Sequence, residues 1–183
     1  ADLYVRPRTV VEAARVFGIL REEGIPAFVL GAGANILVSD LGVRGAVIDT
    51  GGLQGCTVVR TAEGAVVEAL AGTAMSRVSA LAAEQGFSGL EFIYSMPGSV
   101  GGSVWMNARC YDRSISEALL RVRYAEPSGR IHEMDAEPHQ FGYKRSPFQN
   151  APCLIMSASF AVVPGDAEAI CERMESIEAD RRG

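Results

Sequence analysis

An amphipathic helical pattern lies close to the start of the chain. Apolar side chains recur at helical spacing between Thr9 and Gly24, which places them on one face of a helix. Thr9 followed by Glu12 is the sequence pattern of a capping box, and Gly24 is a typical residue to end a helix. We therefore predict a helix over residues 9–23.

Short apolar runs, separated by glycine-rich or polar turns, make up most of the remaining pattern. They predict β strands at residues 2–5, 27–30, 36–38, 46–49, 57–60, 66–70, 119–125, 131–134 and 154–163. A second helical pattern covers Thr73–Gln85, and a third follows Asp166, a residue suited to cap it. Helices mixed with short strands predict the α+β fold class.

Two segments rich in small residues are the candidates for ligand binding. The first bend, residues 31–35, follows a predicted strand, and the second bend, residues 95–102, holds three glycines and Pro97. Backbone N–H groups in such bends can converge on an anion such as a diphosphate. No helix pattern follows Asn35, so the first bend is not a dinucleotide-binding fingerprint. Ordinary tight turns are the alternative for both bends.

Charge and composition exclude several classes of partner. The net charge of −5 comes from 22 acidic and 17 basic residues without a basic cluster, so we expect no nucleic-acid partner. We find no apolar run near the roughly 20 residues of a membrane span and no signal-like start, so we expect a cytoplasmic protein without a membrane partner. Four scattered cysteines and two histidines predict reduced, mostly buried thiols and no metal site.

Three stretches of the chain resemble the signatures of one enzyme family. Residues 29–40 with 42–48 are similar to its glycine-rich flavin loop. Residues 89–92, 96–102, 106–108 and Tyr111 resemble its longest signature, and residues 141–148 its third. On these stretches, which span nearly the whole chain, the sequence resembles the UDP-N-acetylenolpyruvoylglucosamine reductases.

The resemblance implies a fold of the vanillyl-alcohol oxidase (PCMH) type, with two α+β lobes around FAD. We assign the lobes to residues 1–70 and 71–183 and expect the family's carboxyl-terminal substrate domain to be absent, with the chain cut at both ends. In this family NADPH reduces FAD, which then reduces UDP-N-acetylglucosamine enolpyruvate to UDP-N-acetylmuramate for peptidoglycan synthesis. We expect the cofactor to contact Gly31, Ala32, Gly33, Ala34, Asn35, Ser95, Pro97, Gly98, Ser99, Gly101, Gly102 and Asn107.

The third signature supplies the candidate catalytic residues, Tyr143 and Lys144. A fixed cation aimed at the substrate carboxylate would stabilise the negative charge that hydride addition creates. The family usually has Arg at the position of Lys144, and Lys offers a point charge instead of a planar fork. Arg145 could serve instead, and a solvated basic pair is the structural alternative.

Two alternatives to this function stay open. The chain could belong to another FAD-linked oxidoreductase of the same fold, or it could be a noncatalytic domain whose glycine-rich bends are only structural. The family's proton-donating serine motif and its late glutamate do not occur in these 183 residues. We therefore expect a chain that binds FAD but reduces little or no enolpyruvyl substrate by itself.

Overall fold

The computed structural model describes residues 1–182. The strands are β1 (Leu3–Val5), β2 (Ala27–Leu30), β3 (Ala46–Asp49), β4 (Cys56–Arg60), β5 (Ala65–Leu70), β6 (Phe87–Ser88), β7 (Arg109–Cys110), β8 (Arg113–Ser114), β9 (Leu119–Ala125), β10 (Ile131–Asp135) and β11 (Leu154–Pro164). The α helices are α1 (Val10–Glu22), α2 (Met75–Glu84), α3 (Val100–Met106) and α4 (Ala167–Arg182).

Helix α1 begins with the predicted capping box. The Glu12 N–H donates to Thr9 Oγ1 at 3.1 Å, and the Thr9 N–H donates to a Glu12 carboxylate oxygen at 3.2 Å. Both groups are otherwise unpaired at a helix start, so each bond fixes the beginning of the helix. The buried face consists of Ala13, Ala14, Phe17 and Leu20. The predicted first helix is confirmed.

A small parallel sheet in the order β1-β3-β2 packs against α1. All four residues of β3 are buried, as expected for the central strand of a covered parallel sheet. Strands β2 and β3 end together, with Leu30 opposite Asp49. Thr50 follows β3, and its hydroxyl donates to the Leu30 carbonyl at 3.0 Å. The first bend therefore leaves the small sheet at the carboxyl edge of these two strands.

A larger antiparallel sheet runs in the order β10-β9-β11-β5-β4, and β6 pairs with the end of β11. Its core, which includes the fully buried Val67, Met75 and Phe160, packs against α2 and α3. Met156 of β11 belongs instead to the core beneath α1. Strand β11 therefore contributes to both cores and joins the two sheets.

The structure departs from the predicted strand at residues 36–38, which forms no strand. Leu37 is fully exposed, and Ile36 and Val38 are about half exposed. A strand needs a neighbour to pair its backbone groups, and within residues 1–182 none pairs with this run. That prediction is wrong.

The proposed lobe boundary at residue 70 stays a prediction, although the sheets suggest an earlier one. Strands β4 and β5 lie before residue 70, yet both belong to the larger sheet with β9 and β11. A division that follows the sheets would fall between β3 and β4.

Candidate binding cleft

One cleft of about 1400 Å³ receives all three motif segments. Its walls come from β2 with the first bend, from the second bend with α3, and from the loops that precede β11. Thr50 of the small sheet and Ile155 of the large sheet also line it. The segments that the sequence singled out, although far apart along the chain, therefore face a common space.

The two bends are in direct contact at Ser99. The Ala32 N–H donates to Ser99 Oγ at 3.3 Å. A Cβ atom placed on Gly31 would lie 2.6 Å from the same oxygen and 3.8 Å from the Gly102 backbone nitrogen. Glycine at position 31 permits this approach, whereas a Cβ there would force the Ser99 side chain or the bends to shift, because ordinary contacts begin near 3.4 Å. The bends thus form one continuous backbone surface.

Several amides of this surface are free to bind an anion. Within residues 1–182, the N–H groups of Gly33, Ala34, Asn35 and Gly98 donate to no protein acceptor. Gly33 has φ +71°, a conformation that favours glycine. Unpaired backbone donors at a cleft need a partner, either water or a ligand. The first bend is therefore the stronger candidate for a phosphate cradle.

The second bend contributes to the cleft mainly by its shape. Pro97, Gly98, Ser99, Gly101 and Gly102 all line the cleft. The Gly101 N–H, however, already donates to the Ala71 carbonyl at 2.8 Å, and a Cβ there would lie 3.0 Å from Ala71 Cβ. Gly101 is needed where α3 packs against the end of β5, and its amide is not available to a ligand.

Two residues predicted to bind cofactor do not line the cleft. Ser95 lies outside it, and its carbonyl accepts a hydrogen bond from Arg181 at 2.8 Å. Asn107 is 2% exposed; its Nδ2 donates to the Gly142 carbonyl at 2.8 Å, and its Oδ1 accepts from the Ser116 N–H at 3.2 Å. Cofactor contact by Ser95 and Asn107 stays a prediction, although Ser95 lies outside the cleft and the side-chain amide of Asn107 already bonds within the protein.

The Tyr143-Lys144 segment also lines the cleft and forms a tight turn. The Gly142 and Arg145 backbones hydrogen-bond to each other at 3.0 and 3.1 Å. Between them Lys144 has φ +53°, and its Nζ lies 5.6 Å from the centre of the Tyr143 ring. Tyr143 and Lys144 line the cleft, whereas Arg145 does not. The geometry therefore favours Lys144 over Arg145 as the basic residue of the site.

Three further lining residues carry useful chemistry that the sequence analysis missed. Trp105, the single tryptophan of the chain, is 46% exposed in the cleft. Cys110 and Cys153 also line it, and burial raises the pKa of the Cys153 thiol to about 11. Trp105 falls between residues 96–102 and 106–108 of the longest signature, and this position could have indicated its place in the cleft; the cysteines offered no such signal. Burial of thiols is less general than predicted, since Cys171 is exposed.

Glu91 fixes the segment that leads into the second bend. Ser88 Oγ and the Gly89 N–H donate to its carboxylate at 2.6 and 2.8 Å, and Arg173 of α4 lies 3.6 Å away. Burial of the Glu91 carboxyl acts to raise its pKa, but the hydrogen bonds and Arg173 together hold the pKa below its ordinary value. Glu91 is thus a buried, charged carboxylate that stabilises the loop before the second bend.

Within residues 1–182, no group of three or more His, Cys, Asp or Glu side chains is arranged to hold a metal ion. Over the same residues, no helix combines the length and the apolar character that crossing a membrane requires.

The fold and the family match identify an FAD-binding domain. Residues 1–135 match the model of the FAD binding domain family, and the chain belongs to this family. Its α+β fold is of the predicted PCMH type. The structure of cholesterol oxidase from B. sterolicum superposes on the chain with a TM-score of 0.67 at 14% identity, covering 88% of this chain and 34% of that one. A likeness at this identity concerns the fold alone.

More specific similarity lies with one group of reductases. The chain is 37% identical over 177 residues to the UDP-N-acetylenolpyruvoylglucosamine reductase of Streptococcus agalactiae serotype III (strain NEM316), covering 97% of this chain and 58% of that one. It is 35% identical over 182 residues to the one from Clostridium novyi (strain NT), covering 100% and 58%. The reductase structure from Thermus caldophilus superposes with a TM-score of 0.77 at 30% identity, covering 98% and 62%. The predicted resemblance is confirmed, and the chain spans a little under three fifths of the length of these two sequence relatives.

Proposed function

We propose that this chain is the FAD-binding part of an NADPH-dependent reductase that converts UDP-N-acetylglucosamine enolpyruvate to UDP-N-acetylmuramate. One observation carries the proposal: the two glycine bends and the Tyr143-Lys144 turn line a single cleft. The names of the similar reductases supply the substrate. Peptidoglycan synthesis follows from that reaction.

The residues of the cleft fit a bound FAD. A bound FAD would supply the hydride-transfer chemistry between NADPH and the enolpyruvyl carbon. The free N–H groups of Gly33, Ala34 and Asn35 would hold the negatively charged diphosphate. Hydrogen bonds to a charged acceptor are about twice as strong as neutral ones. The first bend would therefore contribute most of the polar contacts.

Lys144 would act on the substrate. Hydride addition places negative charge next to the substrate carboxylate, and a fixed ammonium group stabilises that charge more than it stabilises the ground state. The left-handed backbone of Lys144 and its exposed side chain allow its Nζ to reach into the cleft. Tyr143, 70% exposed on the same wall, would position the substrate or the flavin.

The proton needed at the adjacent carbon would come from outside this set of residues. Ser146 is 4% exposed, and its hydroxyl donates to the Trp105 carbonyl at 2.7 Å, so it is committed to the protein. We expect the isolated chain to bind FAD and to turn over little enolpyruvyl substrate. Wild-type turnover rates in an NADPH oxidation assay would contradict this placement of the proton donor.

Compartment and partners complete the proposal. We place the reaction in the cytoplasm, with no nucleic-acid or membrane partner. The net charge of −5 without a basic cluster supports the lack of a nucleic-acid partner.

The test of the cradle compares Gly33→Glu with Gly33→Gln. A Cβ at position 33 has its nearest neighbour, Leu30 Cδ1, at 4.0 Å, and φ +71° strains both variants equally. The two side chains differ in charge and hardly in size. We expect Gly33→Glu to bind FAD at least roughly tenfold more weakly than Gly33→Gln in an absorption titration, since a tenfold change requires only about 1.4 kcal/mol of repulsion. Equal affinities would show that the FAD diphosphate does not bind at the first bend.

A further inference from the structure

The buried amide of Asn107 connects α3 to the turn that carries Lys144. Asn107 ends α3 with φ 46° and ψ 59°, and it is 2% exposed. Its Nδ2 donates to the carbonyl of Gly142, which is 35 positions away in sequence. Its Oδ1 accepts from the Ser116 N–H. All of this lies outside the cleft lining, so the amide acts on the turn and not on a ligand.

We infer that Asn107 is a positioning residue that holds the basic turn, residues 142–145, at a fixed distance from the glycine bends. The inference rests on the proposed function for the role of Lys144. Helix α3 is the spacer. Ser99 at its amino-terminal cap accepts from the first bend, while Asn107 at its carboxyl-terminal cap holds the turn. Seven helical residues span about 10 Å.

The basic turn depends on this attachment because it has little packing of its own. Its residues are all exposed. The hydrogen bonds that fix it, within the described chain, are the Gly142–Arg145 pair, the Asn107 bond, and one from Gln149 Nε2 to the Lys144 carbonyl at 3.2 Å. The neighbouring Ser146 hydroxyl adds a second attachment to α3 at the Trp105 carbonyl. Of these, the Asn107 bond alone ties the turn itself to α3.

Two substitutions distinguish the role of the Asn107–Gly142 bond from that of the Asn107–Ser116 bond. Asn107→Gly keeps the left-handed backbone and removes both bonds. Asn107→Asp keeps an acceptor for the Ser116 N–H but replaces the donor to Gly142 with a charged acceptor that repels its carbonyl. A role in the turn predicts that both variants behave alike, whereas a role limited to Ser116 predicts that Asn107→Asp behaves as wild type.

The first measurement is amide hydrogen exchange on the chain without cofactor. We expect the Gly142 and Arg145 amides to exchange roughly 3- to 10-fold faster in both variants, which is the effect of losing about one hydrogen bond. Amides of α3 and of the first bend should keep their protection. Unchanged exchange in the turn, or an equal rise throughout α3, would overturn the positioning role.

The second measurement is the reduction potential of bound FAD. It compares Asn107→Asp with the unchanged Asn107, once with Lys144 present and once in the Lys144→Met background. A cation near the flavin favours its reduced, more negative form, so loosening the turn should lower the potential. We expect Asn107→Asp to lower it when Lys144 is present and to have no further effect in the Lys144→Met background. Equal effects in both backgrounds would overturn the inference. A chain that binds no FAD would refute the proposed function, while the exchange experiment still decides the role of Asn107.

Discussion

Substituting Gly31 with alanine tests whether the contact between the two bends holds the cradle together. The new Cβ would lie 2.6 Å from Ser99 Oγ, about 0.8 Å short of the 3.4 Å at which ordinary contacts begin. Ser99 is 3% exposed, so its short side chain has little room to move away. Either the Ser99 side chain rotates or the two bends separate, and in both cases the Ala32 N–H loses its acceptor.

The expected size of the effect follows from this overlap. Overpacking of this kind typically costs about 1–3 kcal/mol. If the whole cost falls on the cofactor complex, FAD binding weakens by roughly 5- to 150-fold. A separation of the bends by the full 0.8 Å would also be large relative to the narrow range of hydrogen-bond lengths, about 2.7–3.2 Å, that the amides could make with a diphosphate.

A double-mutant cycle gives the decisive assay. Ser99→Ala removes the oxygen that the new Cβ would strike, at a cost of about 0.5–1.5 kcal/mol for the lost hydrogen bond. In FAD titrations and thermal unfolding, Gly31→Ala with Ser99→Ala should therefore be less damaging than the sum of the single variants, by about 0.5–3 kcal/mol. Strict additivity would refute the idea that this contact joins the bends.

Two further predictions concern the buried Glu91 carboxylate and the partly buried Cys153 thiol. Because the folded-state pKa of Glu91 lies below its ordinary value of 4.5, its stabilising effect is present above the unfolded-state pKa and is lost as the pH falls through the folded-state pKa. Glu91→Gln should lower Tm near pH 7 by an amount equivalent to about 1–3 kcal/mol. It should also make Tm fall less steeply with pH below about pH 5. An unchanged dependence of Tm on pH in this range would contradict the role of Glu91. Cys153, with its pKa raised to about 11, should react with iodoacetamide far more slowly than the exposed Cys171, and more slowly still with FAD bound. Mass spectrometry of the labelled peptides measures both rates, and equal labelling would contradict the raised pKa and the partial burial of the Cys153 thiol.

The features that the sequence predicted well are those fixed by nearby residues. Thr9 and Glu12 cap α1 across three positions, so the pattern of residue types was enough to place the helix. The common cleft of the two bends and the basic turn came only from the family resemblance, because composition cannot bring distant segments together. The strand predicted at residues 36–38 failed for a related reason, since strand formation depends on a partner that local pattern does not reveal.

Asn107 shows where prediction of the site ended. Its residue type and its place in the longest signature were visible in the sequence. The direction of its amide was not, because that depends on Gly142 and Ser116, which lie 35 and 9 positions away. A polar residue in a binding signature can thus form its side-chain hydrogen bonds within the protein, outside the cleft lining.

Fluorescence of Trp105 during an FAD titration tests the central claim most directly. It is the single tryptophan, 46% exposed and in the wall of the cleft, so no label is needed. We predict saturable quenching at one FAD per chain, accompanied by a change in the flavin absorption spectrum, and both should be lost in Gly33→Glu. A folded chain whose Trp105 emission shows no saturable response to FAD would contradict the assignment of this cleft to the flavin.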